Sequence, residues 1–434
     1  MFERIFKISA SGSSLRSEII AGATTFLAMS YIIFVNPQIL SDAGMDPGAV
    51  FVATCLAAAV ASFIMGFYAN YPVALAPGMG LNAFFTYGVV IGLGVPWQEA
   101  LGAVFLSGLT FVTISVLPIR EWVINAIPND LKLSISAGIG LFLIIIGLSN
   151  IGLVVDDPAT LVTMGDVRSM PMLLAFIGFV TICTLDALKV PGAVLIGIIG
   201  VTVLGMILGQ TEFTGVVSLP PDVTPTLFQL DIGAAFNLAM VTVIISFLFV
   251  DLFDTAGTLV GVTHKAGLLG EDGKLPRLRR ALLADSTATM VGSTIGTSSV
   301  TSYVESVAGV KAGGRTGLTA VVVGLLFLAA LFLSPLAGAV QSYATGPALV
   351  FVGCVMAGGL AHVDWDDPTR YVPAVVTAIA MPLTYSIATG IGLGFITFVA
   401  LKLLSGRWRE ANVGVIILAG LFVLKFIFID SAQG

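Results

Sequence analysis

The stretch ALAPGMGLNAFFTY, residues 74–87, lies within an apolar run yet cannot continue as one helix. Pro77 lacks a backbone N–H, and Gly78 and Gly80 weaken the helix on either side of Met79. A second interruption, GTSSVTSYVESVAGV, occupies 296–310 and is built from hydroxyl residues and glycine. Each break falls about 60 residues after the start of an apolar span, the first span at 18–39 and the eighth at 236–262. Matching interruptions in two halves of an apolar chain point to a transporter binding site formed where helices are discontinuous.

The rest of the chain supports a membrane setting. Its 434 residues are 57% hydrophobic and 10% charged, where a soluble protein carries about 25% charge. Mean hydropathy is +1.04. At roughly 20 residues per spanning helix and about ten per connection, the length accommodates about fourteen spans. Soluble enzymes, disulfide scaffolds, nucleic-acid binders and disordered chains are excluded together. The apolar runs are continuous, not alternating, so a β-barrel is excluded as well. The expected class is an all-α polytopic membrane protein with segments three (73–92) and ten (298–311) interrupted. Seven spans separate the two breaks, so a repeat of that length is inverted in the membrane. The expected organisation is a first seven-span repeat at 17–209, a polar linker at 210–235, a second repeat at 236–405 and a C-terminal tail at 406–434. The tail carries a further apolar run, 412–430, which either lies on the membrane, re-enters it or spans it.

Charge placement sets the orientation. With the N-terminus in the cytoplasm, seventeen basic residues fall on the cytoplasmic side, among them Arg120, Lys189, Lys265, Lys274, Arg277 and Lys311, and Arg168 alone falls outside. Lys425 lies in the last run. The outer loops are acidic, with Asp42, Asp156, Asp157 and Asp166 among them. The residues 1–16 and the long first span do not read as a cleavable signal peptide. Cys55, Cys183 and Cys354 read as apolar packing residues, and His264 and His362 form no metal-ligand pattern. No cofactor motif is present; Gly78-x-Gly80-x-x-Ala83 lacks the strand–helix context of a dinucleotide fingerprint.

Acids inside spans are few and therefore informative, because a carboxylate at the bilayer centre costs about 2.5–3.5 kcal/mol on the mildest scale. Asp251 and Asp254, in FLFVDLFDTAGTLVGV at 247–262, are spaced i,i+3 and are expected near one helix face, where they form a proton-holding pair. Glu305 follows the second break. Either it receives a flat polar ligand beside free backbone donors, or it closes a capping box with Ser302. The ten Ser and Thr residues of 286–302 mark the break, and Asp285 at its cytoplasmic edge is expected to cap span nine. Asn82, a buried-type amide beyond the first break, either meets a ligand or satisfies a loose carbonyl.

Five stretches in order, TTFLAMSYIIFVNPQIL (24–40), ALAPGMGLNAFFTY (74–87), FDTAGTLVGVTHKAGLL (253–269), GTSSVTSYVESVAGV (296–310) and GGRTGLTA (313–320), resemble the nucleobase–cation symporter-2 superfamily. The resemblance is to its adenine, guanine and hypoxanthine permease branch and covers nearly the whole chain. It implies fourteen spans in a seven-plus-seven inverted repeat. Spans 1–4 and 8–11 would form a core domain and spans 5–7 and 12–14 a gate domain, with a short strand and half-helix in spans three and ten. It implies a purine between the domains, held by Asp251 and Glu305, with the Val304 backbone and Asn82 close by, and Asp254 important for transport. Thr255 stands where uracil-transporting relatives carry histidine, and Thr24 and Thr25 stand where another branch carries a glutamine–histidine pair.

The expected activity is import of adenine, guanine or hypoxanthine by proton symport with alternating access in the plasma membrane. The expected partners are the purine, a proton (sodium being the alternative), the lipid bilayer and a second copy of the chain, with no nucleic acid. An anion carrier of sulfate or bicarbonate type is the nearest rival, and three acids at its site would repel its substrate. A membrane-embedded enzyme would need a catalytic constellation that the chain does not display.

Overall fold

The computed structural model describes residues 2–117, 128–213, 215–268 and 277–428. Arg120 and Lys274 of the charge pattern, and the side chains of His264 and Lys265, lie outside the described residues, as do 429–434 of the tail. The helices are α1 (Phe2–Phe6), α2 (Leu15–Met29), α3 (Ile32–Asp42), α4 (Pro47–Ile64), α5 (Met79–Ala83), α6 (Trp97–Val116), α7 (Asn129–Asn150), α8 (Met170–Ala187) and α9 (Ala193–Ile207). After the linker come α10 (Ile232–Ala235), α11 (Leu238–Lys265), α12 (Leu278–Ile295), α13 (Ser306–Lys311), α14 (Gly317–Ala330), α15 (Ser334–Ala339), α16 (Ser342–Ala357), α17 (Pro368–Thr384), α18 (Ile387–Leu404) and α19 (Val413–Phe428).

Among the described residues, nine helices are long and apolar enough to cross a membrane. They fall on expected spans one, two, four, five, six, eight, eleven, twelve and fourteen. The other five expected spans correspond to elements that are shorter, broken or more polar: Met79–Ile91, α9, α12, the segment 300–311 and α17. In α12 the cause is chemical, since Arg279, Arg280, Asp285 and several hydroxyls dilute its apolar character. Span one is α2 and α3 joined by a bend at Ser30–Tyr31, where Ile33 N–H donates to Ser30 O and Phe34 N–H to Tyr31 O. Such tightened turns change the direction of a side chain without ending the span.

The two interruptions meet. Strand β1 (Leu75–Pro77) pairs antiparallel with the strand Val300–Ser302, with Leu75 opposite Ser302 and Pro77 opposite Val300. Gly78 N–H donates to Ser299 O (2.9 Å) and Tyr303 N–H to Ala74 O (3.0 Å), extending the ladder at both ends. Breaking a helix in lipid frees backbone polar groups, and mutual pairing is how two broken helices satisfy them. A second hairpin, β2 (Val154–Asp157) with β3 (Leu161–Met164), lies in an exposed loop where no strand was expected; the Val300–Ser302 strand is accordingly β4. Thr160 and Ala159 N–H groups donate to the Asp157 carboxylate there and hold it below its usual range.

The helices pack in two groups. One comprises α2, α3, α4, α6, α12, α13 and α14 with the β1–β4 ladder, and α11 joins it through α6 and β4. The other comprises α7, α8, α9, α16, α17 and α18. The tail helix α19 packs along α18, with Phe395 and Phe422 ring centroids 6.1 Å apart. Gly309 lets α13 sit directly on α2: a Cβ there would fall 2.5 Å from Ala21 O and closer still to Thr25 Oγ1. The GGRTGLTA stretch is structural. Buried Glu18 of α2 accepts from the N–H groups of Arg315 (2.9 Å) and Thr316 (3.3 Å) and from Thr319 Oγ1 (2.6 Å), tying the entry to α14 onto α2.

Candidate functional site

A cavity of about 1420 Å³ lies between the two helix groups, beside the β1–β4 crossing. The first group contributes Tyr31, Gly78, Asp254 and the run Thr301–Glu305; the second contributes Ile135, Ile139, Phe351 and Met356. One wall is therefore polar and irregular, and the other sets apolar side chains of α7 and α16 beside polar ones such as Ser136 and Lys132, the arrangement of a pocket for a flat heteroaromatic molecule.

Three of the expected site residues line this cavity: Asp254, Val304 and Glu305. Glu305 sits at the N-cap position of α13, and that helix has only six residues. The capping-box alternative is not realised. Ser302 Oγ donates to Asp285 Oδ1 (2.8 Å), and the Glu305 carboxylate receives the Tyr31 hydroxyl at 2.6 Å. Tyr31 reaches Glu305 from the bend in span one and is itself buried. Val304 is 55% exposed, its side chain at the cavity surface.

Asp251 and Asn82 are not on the cavity wall. Asp251 is buried, with Oδ2 2.8 Å from Thr289 Oγ1 on α12, and its Oδ1 makes no hydrogen bond among the described residues. The i,i+3 spacing accounts for the divergence. Three residues turn a helix through about 300°, so Asp251 points to α12 while Asp254 faces the cavity. Asn82 is buried in α5 with neither amide atom hydrogen-bonded among the described residues.

Asp285 does not cap span nine. That helix begins at Leu278, which places Asp285 about two turns inside it, buried. Its Oδ2 receives the Thr255 hydroxyl (2.6 Å), and Thr255 Oγ1 lies 2.9 Å from Thr301 Oγ1 on β4. Asp251, held by Thr289, and Asp285, held by Thr255 and Ser302, thus lie in two neighbouring hydroxyl sets behind the strand that forms the cavity floor. Among the described residues, no ion pair involves Asp251, Asp254, Asp285 or Glu305. Sequence reasoning missed Tyr31 and the role of Asp285. A phenol within an otherwise apolar span and an acid seven residues past a helix start were the available signals.

The chain matches the Permease family over residues 16–393. It is 51% identical over 431 residues to the adenine permease AdeP of Escherichia coli (strain K12), covering 99% of this chain and 97% of that protein. It is 47% identical over 436 residues to the guanine/hypoxanthine permease PbuG of Bacillus subtilis (strain 168), covering 98% and 99% respectively. Among solved structures, the transmembrane domain of a cyanobacterium bicarbonate transporter, BicA, has a TM-score of 0.63 at 15% identity, covering 89% of this chain and 97% of that one. At that identity the likeness concerns the fold alone: a polytopic helical membrane architecture with core and gate helix sets. The family match and the two near-full-length relatives place the chain among multi-pass membrane permeases, in the nucleobase–cation symporter-2 family.

Proposed function

We propose that this permease imports a purine nucleobase by proton symport with alternating access, as its relatives' names, adenine permease and guanine/hypoxanthine permease, suggest for the substrate. The observation that carries the reading is the Tyr31–Glu305 hydrogen bond on the wall of a cavity that also presents Asp254. Glu305 accepts from purine N–H groups, held in place by the tyrosine, and the exposed backbone at Val304 and Glu305 adds edge contacts. Purine faces lie against the apolar side chains of α7 and α16. The acids have no cationic partner among the described residues, so a neutral base with N–H donors fits the site and an inorganic anion does not. Asp254 carries the coupling proton. Asp251 acts with it from its buried place beside Thr289, and Asn82 supports the wall from behind.

Alternating access is supported by how the cavity ends. Its lining includes Lys132, Lys189 and Lys311, residues that the basic-residue asymmetry assigns to the cytoplasm. At the opposite end, Gln38 of the first group joins the second through Val340 O (3.0 Å) and through Thr345 Oγ1. We read this as an inward-open state of a plasma-membrane protein with a cytoplasmic N-terminus. The two repeats are 17–209 and 236–405, and spans 1–4 and 8–11 move as the core against the rest. The test is saturation binding of labelled adenine, guanine and hypoxanthine to purified protein. Glu305→Gln should weaken binding of the preferred base by more than about tenfold, since a charge-assisted bond of about 1.5–3 kcal/mol is lost. An unchanged affinity removes Glu305 from the site.

A further inference from the structure

Three segments far apart in the chain meet on the face that the basic-residue asymmetry assigns to the cytoplasm: α1, the turn after α4, and the start of α12. Span two ends in a π-helical turn, Met65–Ala69, and Asn70 follows it in the left-handed region (φ 54°). The Asn70 side chain pins this turn on two sides. Its Nδ2 donates to Phe6 O (3.1 Å), and Gly317 N–H donates to its Oδ1 (2.7 Å). Tyr68 and Tyr71 flank the pinned residue, and each carries an arginine from the start of α12. The Arg280 guanidinium carbon lies 5.8 Å from the Tyr68 ring centroid, and that of Arg277 lies 5.1 Å from the Tyr71 centroid. Arg280 N–H donates to Arg277 O (2.8 Å), so the two arginines leave the backbone beside one another. Both are exposed, as are Phe67 and Tyr68. Among the described residues, neither arginine makes an ion pair.

An aromatic face attracts a guanidinium without using its N–H groups, and those groups match phosphate oxygens in geometry and charge. We infer that Arg277 and Arg280 bind the headgroup of an anionic phospholipid of the cytoplasmic leaflet, with Phe67 and Tyr68 against its glycerol and upper acyl chains. A lipid fits better than a soluble phosphate because the site stands at the end of a span beside exposed rings, where aromatic side chains sit at headgroup level. Each arginine at such a surface strengthens binding of an anionic lipid by about fivefold, and the pair by about 25-fold. The bound lipid joins the end of span two to the start of α12.

Native mass spectrometry of the purified full chain tests this. Delipidated protein is titrated with phosphatidylglycerol or with phosphatidylcholine of the same acyl chains, in the presence and absence of glycerol 3-phosphate. Phosphatidylglycerol should be held at least about tenfold more tightly than phosphatidylcholine, and the soluble ester should not displace it. Arg277→Gln combined with Arg280→Gln should remove the preference. Lys189→Gln combined with Arg409→Gln removes the same charge beyond α8 and α18 and should change the preference by less than about twofold. Tyr68→Leu keeps both arginines and should weaken phosphatidylglycerol by about two- to fivefold, because the face under Arg280 is lost. That variant decides the matter if the double arginine substitution does not give a cooperative melt. Equal retention of the two lipids, displacement by the soluble ester, or a preference that survives the arginine substitutions overturns the inference. So does an equal loss in the Lys189 and Arg409 control, or unchanged binding in Tyr68→Leu.

Discussion

Replacing Tyr31 by Phe removes one oxygen from a buried position and leaves the ring in place. The Tyr31 hydroxyl lies 2.6 Å from Glu305 Oε1, and among the described residues it is the hydrogen bond that anchors that carboxylate. Without it, Glu305 regains freedom about its side-chain torsions, each with three staggered wells. Re-ordering one torsion on binding costs RT ln 3, about 0.65 kcal/mol, and re-ordering two costs about 1.3 kcal/mol. Tyr31→Phe should therefore weaken purine binding by about three- to tenfold. Glu305→Asp supplies the control, because a side chain shorter by one bond of about 1.5 Å cannot reach the hydroxyl. In that background, Tyr31→Phe should add less than about twofold. Saturation binding of labelled base to the four proteins, each checked for a single monodisperse peak and a cooperative melt, gives the cycle. An unchanged affinity for Tyr31→Phe, or a full additive loss on top of Glu305→Asp, would refute the anchoring role.

Two further substitutions probe other parts of the account. Asp254→Asn should keep purine binding within about threefold and lower accumulation driven by a pH gradient by at least tenfold, about 1.4 kcal/mol of lost coupling; accumulation at the parental level would move the proton elsewhere. At the end of α18, Arg407 (2.7 Å) and buried Lys402 of its last turn (2.7 Å) hold the Glu410 carboxyl down to about 2, from a usual 4.5. A depressed carboxyl stabilises the folded state above its unfolded value and loses that contribution as pH falls from about 4.5 toward 2. Across that window the melting temperature of the parent should fall more than that of Glu410→Gln, and equal falls would show that the ion cluster contributes nothing.

The sequence showed where helices must fail but not what the failed segments do for each other. Pro77 with its flanking glycines, and the hydroxyl-rich run through 302, predicted both interruptions, because the local backbone cannot continue there. Their union as the β1–β4 ladder joins residues far apart in the chain, and local chemistry carries no register for such a pairing. The exposed hairpin β2–β3 was missed for a related reason, since VVDD and LVTM, at four residues each, are too short to read as strands. For the site, an intramembrane carboxyl announces itself by cost, so Asp251, Asp254 and Glu305 were all legible. Their directions were not. A shared face was expected for Asp251 and Asp254, and the 60° shortfall of three residues from a full turn sends them to different neighbours. Asp285 looked like a cap because it opens a Ser/Thr stretch, and the true helix start at Leu278 moves it into the buried network. Tyr31 carries no charge, so only its phenol within the span marked it before the bend in span one placed it on Glu305.

The central claim is that purine entry is driven by protons moving through this site. Purified protein in liposomes, given labelled adenine, guanine or hypoxanthine outside, tests it directly when a pH gradient or a sodium gradient is imposed in turn. A pH gradient, acid outside, should concentrate at least one of the three bases above its outside level. Collapsing the gradient with a protonophore should release the base, and a sodium gradient alone should do nothing. Equilibration without concentration, or accumulation that follows sodium and ignores pH, would contradict it.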